Sequence, residues 1–147
     1  MNRKDVALEI FNNNFNCSQA VFCAFCEEFG LDRDTGLKLS TGFGGGLRDG
    51  EVCGAVSGAI MALGLKEGHY VEDDLAMKTK AYDLTMEYVK RFKARNNTIV
   101  CRELLGHDPS NPDEKAILNE KGLFKTVCPK AVTDAVEILE ELLELDQ

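Results

Sequence analysis

The sequence predicts an all-α protein, a compact bundle of about six to eight helices in a single domain, 1–147. Three observations carry this prediction. Apolar residues recur at spacings of three and four, which places them on one helix face, and strand-like alternation is nearly absent. A chain of 147 residues suits one domain with a substantial core. One uncharged apolar segment, at about residues 53–65, predicts a central buried helix.

Three helices are predicted before this central helix. The first covers Asp5 to Phe11. The second begins at Cys17, because Asn16 and Gln19 have the positions of a capping box, and it extends to about Phe29. A third short helix, Thr35 to Thr41, leads into a glycine-rich loop.

The predicted central helix follows that loop and opens on Cys53. Nine of the 13 glycines lie between Gly42 and Gly68. Gly54 and Gly58 are one turn apart on one face, where the lack of a side chain lets a neighbouring backbone come close. A helix that is apolar on all sides must be surrounded by protein, and this one is shorter than the 20 or so residues that cross a bilayer.

Four further helices are predicted after the central one. The longest runs from Glu72 to about Arg95. Short helices follow from Thr98 to Leu105 and from Asp113 to Glu120, and the last one begins with Cys128 as N-cap and Pro129 at the first helical position. In the long helix, one apolar stripe is predicted to face the core: Leu75, Tyr82, Met86, Val89 and Phe92.

Charge and composition narrow the classes of function. The 17 basic and 25 acidic side chains give a net charge of −8, which argues against a nucleic-acid or anionic-membrane surface. The N-terminal segment contains acidic residues and no long apolar core, so a signal peptide is not predicted. We therefore expect a cytoplasmic protein without membrane insertion. Structural disulfides are rare in the cytoplasm, so six cysteines indicate metal or redox chemistry.

Four of the six cysteines share one feature, a predicted position at the start of a helix. Free N–H groups and the helix dipole stabilise a thiolate there, and the thiol pKa can fall from about 8.5 to about 3.5–7.5. Their wide separation in sequence means that only tertiary folding can bring them together. The candidate catalytic and metal-binding residues are Cys17, Cys53, Cys101 and Cys128.

Cys23 and Cys26 form a C-x-x-C motif that is predicted to lie in the middle of a helix. Redox motifs of this type begin a helix, so we interpret these two as small buried apolar residues. His69 and His107 fall in predicted loops, and a zinc site with several histidine ligands would have to use both. No phosphate-binding loop and no G-x-S-x-G motif is present.

The cysteines stand in segments that resemble the C-GCAxxG-C-C family of redox-active proteins. These segments are NCSQAV at Asn16–Val21, CGAVSG at Cys53–Gly58, CRELLG at Cys101–Gly106 and CPKAV at Cys128–Val132. Val52 stands where the family name has a glycine. The resemblance extends from about Asn16 to the last helix and implies a redox role for the same four cysteines. Similar domains accompany haem domains in some cytochromes.

Two redox mechanisms and two alternatives remain open from the sequence. An iron–sulfur cluster held by four thiolates is favoured, because dithiol–disulfide exchange needs only two cysteines. The alternatives are a structural zinc ion and a metal-free helical scaffold. A redox partner protein is expected, and a homodimer is possible. Backbone N–H groups that could bond a cofactor are predicted at Gly44, Gly45, Gly46 and Gly54.

Overall fold

The structure is a computed structural model that describes residues 1–147 as eight α-helices with no strand, which confirms the all-α prediction. Short 3₁₀ and π-type turns at Thr41–Phe43 and Gly46–Gly50 form the glycine-rich loop. The helices are α1 (Arg3–Asn12), α2 (Cys17–Cys23), α3 (Arg33–Ser40), α4 (Gly54–Glu67), α5 (Leu75–Asn96), α6 (Cys101–Leu105), α7 (Pro112–Lys121) and α8 (Leu123–Leu142).

Helix α4 is the central helix that the sequence predicts. It packs against α2, α5 and α8, and Val56 and Leu63 are buried in the core. Gly58 is the point of closest approach to α2, since a Cβ there would lie 2.5 Å from the carbonyl oxygen of Ser18. Burial of each Val or Leu side chain stabilises the fold by roughly 1.5–3 kcal/mol. No helix of the protein has the length and apolar character needed to cross a membrane.

Helix α2 is shorter than the sequence predicts. It ends at Cys23, and the chain then turns until Gly30, which has a left-handed φ of 93°. The turn brings Phe25 and Cys26 fully into the core. Cys23 is therefore the last residue of α2 and Cys26 lies in a turn, so the predicted position in the middle of a helix is wrong. Tertiary context can override local helical periodicity, and this segment is one where the helix ends although the periodicity continues.

Helix α8 begins earlier than the sequence predicts. Gly122, with a left-handed φ of 67°, ends α7 and leads directly into α8 at Leu123. Cys128 therefore lies in the second turn and not at the N-cap, and Pro129 lies inside the helix. Pro129 has no N–H to donate to the carbonyl oxygen of Lys125. A proline at the first helical position and one inside a helix look the same in sequence.

The predicted core stripe of α5 is largely wrong. Leu75, Tyr82 and Met86 are exposed, with 67%, 60% and 63% of their surface accessible. Phe92 is buried as predicted, and Tyr88, which the predicted stripe does not contain, is buried with its hydroxyl donating to the carbonyl oxygen of Ala135 at 2.9 Å. Helix α5 has two apolar faces, and periodicity alone cannot tell which one packs on the core.

The apolar side chains form two separate clusters. The larger one is built by α1, α2, α4, α5 and α8. The smaller one contains Cys101, Leu105 and Leu118, with Phe124 and Cys128 packed against it. We call residues 101–128, which comprise α6, α7 and the start of α8, the cap. The main core and the cap meet beside the glycine-rich loop.

Candidate cysteine site

A cavity of about 270 Å³ lies where the main core meets the cap, and four cysteines line it. They are the four that the sequence singles out: Cys17, Cys53, Cys101 and Cys128. All six cysteines of the chain are free thiols. The remaining wall is largely apolar and includes Phe11, Leu104, Leu105, Pro109, Phe124, Val127 and Ala131.

Cys17 is held at the first position of α2 by the predicted capping box. The Asn16 side chain accepts a hydrogen bond from the Gln19 N–H at 3.0 Å, and the Gln19 side chain accepts one from the Asn16 N–H at 2.9 Å. Gly54 leaves room for the sulfur, because a Cβ at this position would lie 2.6 Å from Cys17 Sγ. The close packing of α2 on α4 thus sets Cys17 beside Cys53.

A short antiparallel pairing brings Cys53 and Cys101 together. Val52 and Val100 form an isolated β-bridge. The Cys53 N–H donates to the carbonyl oxygen of Ile99 at 2.7 Å, and the Cys101 N–H donates to that of Glu51 at 2.6 Å. The bridge fixes the residues before both cysteines, so Cys53 becomes the N-cap of α4 and Cys101 the first residue of α6.

Cys128 reaches the cavity from α8. It packs against the small cluster of the cap, beside Val127 and Phe124. Cys17 and Cys128 are partly exposed, whereas Cys53 and Cys101 are buried. In the main core, Cys17 is therefore nearer to the solvent than Cys53. In the cap, Cys128 is nearer to the solvent than Cys101.

The surroundings of the four thiols differ, and so do their pKa values. A hydrogen bond with the Cys53 thiol, helped by the backbone N–H groups of Gly45 and Ser18, lowers the pKa of Cys17 to about 7 although burial opposes this change. The same hydrogen bond and burial raise the pKa of Cys53 well above its usual value. Burial raises the pKa of Cys101 and of Cys128 to about 12. Cys17 is therefore the thiol that ionises near neutral pH.

The glycine-rich loop adopts a left-handed turn beside the cavity. Gly45 and Gly46 have φ values of 66° and 65°, and Leu47 and Arg48 continue the turn with 60° and 57°. Left-handed backbone at a residue other than glycine costs roughly 1–2 kcal/mol. The residues that carry this cost lie in the loop whose Gly45 N–H helps to lower the pKa of Cys17. The sequence pointed to the glycines but held no sign that Leu47 and Arg48 would share their conformation.

The glycines predicted to bond a cofactor have different positions. Gly45 lines the cavity. Gly44, Gly46 and Gly54 make room for close neighbours, which are the Asn16 side chain at Gly44, the Glu51 backbone at Gly46 and the Cys17 sulfur at Gly54. Of the four, Gly45 is the one whose backbone N–H helps to lower the pKa of Cys17.

Charged residues at the cavity are missing from the sequence-based prediction. Arg48 and Lys115 line it, and no acidic side chain does. In a chain with a net charge of −8, this basic lining marks the cavity as a place that favours negative charge. Arg48 also donates to the carbonyl oxygen of Gly44 at 3.3 Å. Neither histidine lines the cavity.

Cys23 and Cys26 lie outside the cavity, packed against α3. A Cβ at Gly36 would lie 3.0 Å from Cys23 Sγ and 2.9 Å from Cys26 Sγ. Both side chains are buried, with 5% and 0% of their surface exposed. Burial raises the pKa of the Cys23 thiol to about 12. Their interpretation as small buried apolar residues agrees with this packing.

The comparison with known families gives one match. Residues 15–142 match the C_GCAxxG_C_C family, which is described as "Putative redox-active protein". The match covers most of the chain, so the protein belongs to this family. No curated protein and no solved structure matches the chain significantly. The family description names a redox character and specifies neither a cofactor nor a mechanism.

Proposed function

We propose that the protein is an electron-transfer module that binds an iron–sulfur cluster in the cysteine cavity. The ligands would be the thiolates of Cys17, Cys53, Cys101 and Cys128. The observation that carries the proposal is their convergence. Four cysteines from four distant segments line one cavity, and the other two cysteines of the chain do not. Exchange between a dithiol and a disulfide would need two of them and would leave the convergence of all four unexplained.

The geometry suits a cluster better than a single ion. A structural zinc ion takes four ligands at one centre, with Zn–S distances of about 2.3 Å. No three of the His, Cys, Asp and Glu side chains are arranged so that they could hold one metal ion. An iron–sulfur cluster spreads its four cysteines over two or more irons. The cavity volume of about 270 Å³ is also several times the roughly 30 Å³ that one water molecule takes up in the liquid.

The surrounding residues would stabilise a bound anionic group. Arg48 and Lys115 supply positive charge against four thiolates. The backbone N–H of Gly45 helps to lower the pKa of the Cys17 thiol, and N–H groups that bond the sulfurs are one means by which proteins adjust reduction potential. Apolar side chains such as Leu104 and Phe124 exclude water. A cluster bound here would supply reversible one-electron transfer.

Electrons would enter and leave where the site is nearest to solvent. Cys17 and Cys128 are partly exposed, so a docked redox protein can approach them more closely than it can approach Cys53 or Cys101. Free thiols on all six cysteines also fit a reducing compartment, and we propose that the protein works in the cytoplasm.

A second function, thiol–disulfide exchange, is favoured by one observation. The neighbouring Cys53 thiol is the main cause that lowers the pKa of Cys17 to about 7. The Cys17 thiolate would attack a substrate disulfide and release one substrate thiolate, which takes up a proton. The Cys53 sulfur, after losing its proton, would then attack Cys17 Sγ and release the second substrate thiolate. The substrate disulfide is reduced, and Cys17 and Cys53 are oxidised to a disulfide.

The two functions are separated by anaerobic purification followed by iron, sulfide and zinc analysis and a visible spectrum. The cluster proposal expects brown protein with comparable amounts of iron and acid-labile sulfide. Colourless protein that reacts reversibly with a model disulfide through Cys17 would support exchange instead. Stoichiometric zinc would show a structural metal site. Metal-free protein whose thiols react only after unfolding would support a scaffold.

A further inference from the structure

Two basic side chains at the cysteine cavity have no acidic partner. Arg48 comes from the glycine-rich loop and Lys115 from α7, and both line the cavity. Neither of them forms a salt bridge, although the chain contains 25 acidic residues. Unpaired positive charge at the wall of a cavity concentrates anions there. The cavity therefore favours an anionic ligand.

The acidic residues nearest to these two cations in sequence do not line the cavity. The Glu114 carboxylate accepts a hydrogen bond from the Asp108 N–H at 3.1 Å. The Asp108 carboxylate in turn accepts one from the Ser110 N–H at 2.9 Å. Asp49, which follows Arg48, is exposed at the surface. The wall of the cavity therefore contains no carboxylate that could neutralise the two cations.

Asn119 adds a neutral hydrogen-bond donor to the same wall. It lies four residues after Lys115 on α7, so the two side chains share one face of the helix, and both line the cavity. Amide, ammonium and guanidinium groups all donate N–H bonds to oxygen, and those from a charged group to a carboxylate are the strongest. We call Arg48, Lys115 and Asn119 the basic subsite.

We propose that the basic subsite binds the carboxylate of a small organic disulfide, whose sulfur atoms then lie beside Cys17. The inference rests on thiol–disulfide exchange, the second proposed function, and names its substrate class. Cys17 and Cys53 supply the two electrons and two protons that convert the substrate disulfide into two thiols, and they become a disulfide themselves. An organic molecule is favoured over an inorganic anion because the remaining wall is largely apolar. The volume of about 270 Å³ is slightly below the roughly 300–1,000 Å³ of most ligand pockets, so the substrate is small.

The test compares two aromatic disulfides of similar size, the dianion dithiobis(nitrobenzoate) and the uncharged dithiobis(nitropyridine), on reduced, metal-free protein. Stopped-flow absorbance measures the released thiolate, and mass spectrometry shows that Cys17 has reacted. In Lys115→Gln, the rate constant for the dianion is expected to fall about threefold or more relative to that for the uncharged reagent. Lys121→Gln is the matched control and should keep the wild-type ratio, because Lys121 is exposed on the same helix, has no acidic partner and does not line the cavity.

A change of charge at constant size tests the same subsite. Asn119→Asp places a carboxylate in the wall and is expected to lower the ratio of the two rate constants by about tenfold or more. Lys115→Arg keeps the charge and should keep the wild-type ratio. Equal ratios in the wild type, Lys115→Gln and Asn119→Asp would overturn the basic subsite and leave the exchange function standing. A Cys17 thiol that reacts with neither reagent would overturn the exchange function and the substrate class together.

Discussion

The protein contains two groups of cysteines whose thiols are all free and buried or partly buried, yet their surroundings differ. The four at the cavity come from four segments and face open space, a left-handed glycine turn and a basic lining. Cys23 and Cys26 come from one turn, and their sulfurs are packed against Gly36 with no space between. Both groups are at least partly buried. Only the four cysteines at the cavity have open space beside their sulfurs and hydrogen-bond donors near them.

This comparison shows what makes a buried cysteine a candidate for chemistry. Burial alone raises a thiol pKa, as it does for Cys23. A lowered pKa needs donors to the sulfur, and Cys17 has them in the Cys53 thiol and the Gly45 N–H. A glycine beside a sulfur has two uses in this fold, since Gly36 closes the core over Cys23 and Cys26 while Gly54 admits Cys17 to the cavity.

The largest expected effect is the loss of bound iron in Cys53→Ser. Serine keeps the size of the side chain but is a poor ligand for iron in a cluster, so iron and sulfide should fall to background. Metal analysis and the visible spectrum measure this. Cys26→Ser is the matched control at a fully buried cysteine outside the cavity, and it should retain its iron. Equal loss from both variants would contradict the division into two groups.

The second effect is selective alkylation of Cys17 in metal-free protein. With a pKa of about 7, Cys17 is about half ionised at neutral pH, whereas a pKa of about 12 leaves Cys101 and Cys128 almost fully protonated. The thiolate is the reactive form, so labelling of Cys17 should rise from pH 6 to 8 and then level off. Mass spectrometry after brief iodoacetamide treatment locates the label. Faster labelling of Cys101 or Cys128 would contradict this assignment.

A third effect is expected at Gly54. In Gly54→Ala the new methyl would lie 2.6 Å from Cys17 Sγ and 3.0 Å from the carbonyl oxygen of Phe43, so α2 and the loop must move. We expect most of the iron to be lost and stability to fall by about 1–3 kcal/mol, the usual cost of overpacking. Gly42→Ala is the control, because a Cβ there meets nothing within 4 Å. Full iron content in Gly54→Ala would contradict the role of this close approach.

The smallest expected effect is at Gly36. In Gly36→Ala the methyl would press on Cys23 Sγ and Cys26 Sγ, which should lower stability by about 1–3 kcal/mol without loss of iron. Cys26→Ala in the same chain removes one of the two obstructing sulfurs, so the two changes should be less than additive in urea unfolding. Strict additivity would show that the sulfur and the methyl do not meet.

Local signals in the sequence predicted the parts of the fold that depend on neighbouring residues. The Asn16–Gln19 capping box placed the start of α2, and the uncharged run after Cys53 predicted α4. The choice of the four cysteines was also possible from sequence, although the helix start predicted at Cys128 is wrong. The family resemblance selects the same four residues, and the structure places them around one cavity.

Other features depend on tertiary structure and had no local signal. The bridge between Val52 and Val100, which aligns Cys53 with Cys101, is a single pairing between segments 48 residues apart. The left-handed conformation of Leu47 and Arg48 contradicts their local preferences. The early end of α2 at Cys23 coincides with full burial of Phe25 and Cys26 in the core.

The most direct test of the central claim is a Mössbauer spectrum of protein loaded anaerobically with ⁵⁷Fe and sulfide. The four-cysteine site predicts that all bound iron is tetrahedral and sulfur-coordinated, and that the signal disappears in Cys53→Ser. Iron that binds with oxygen or nitrogen ligands, or a wild-type protein that takes up no iron, would contradict it.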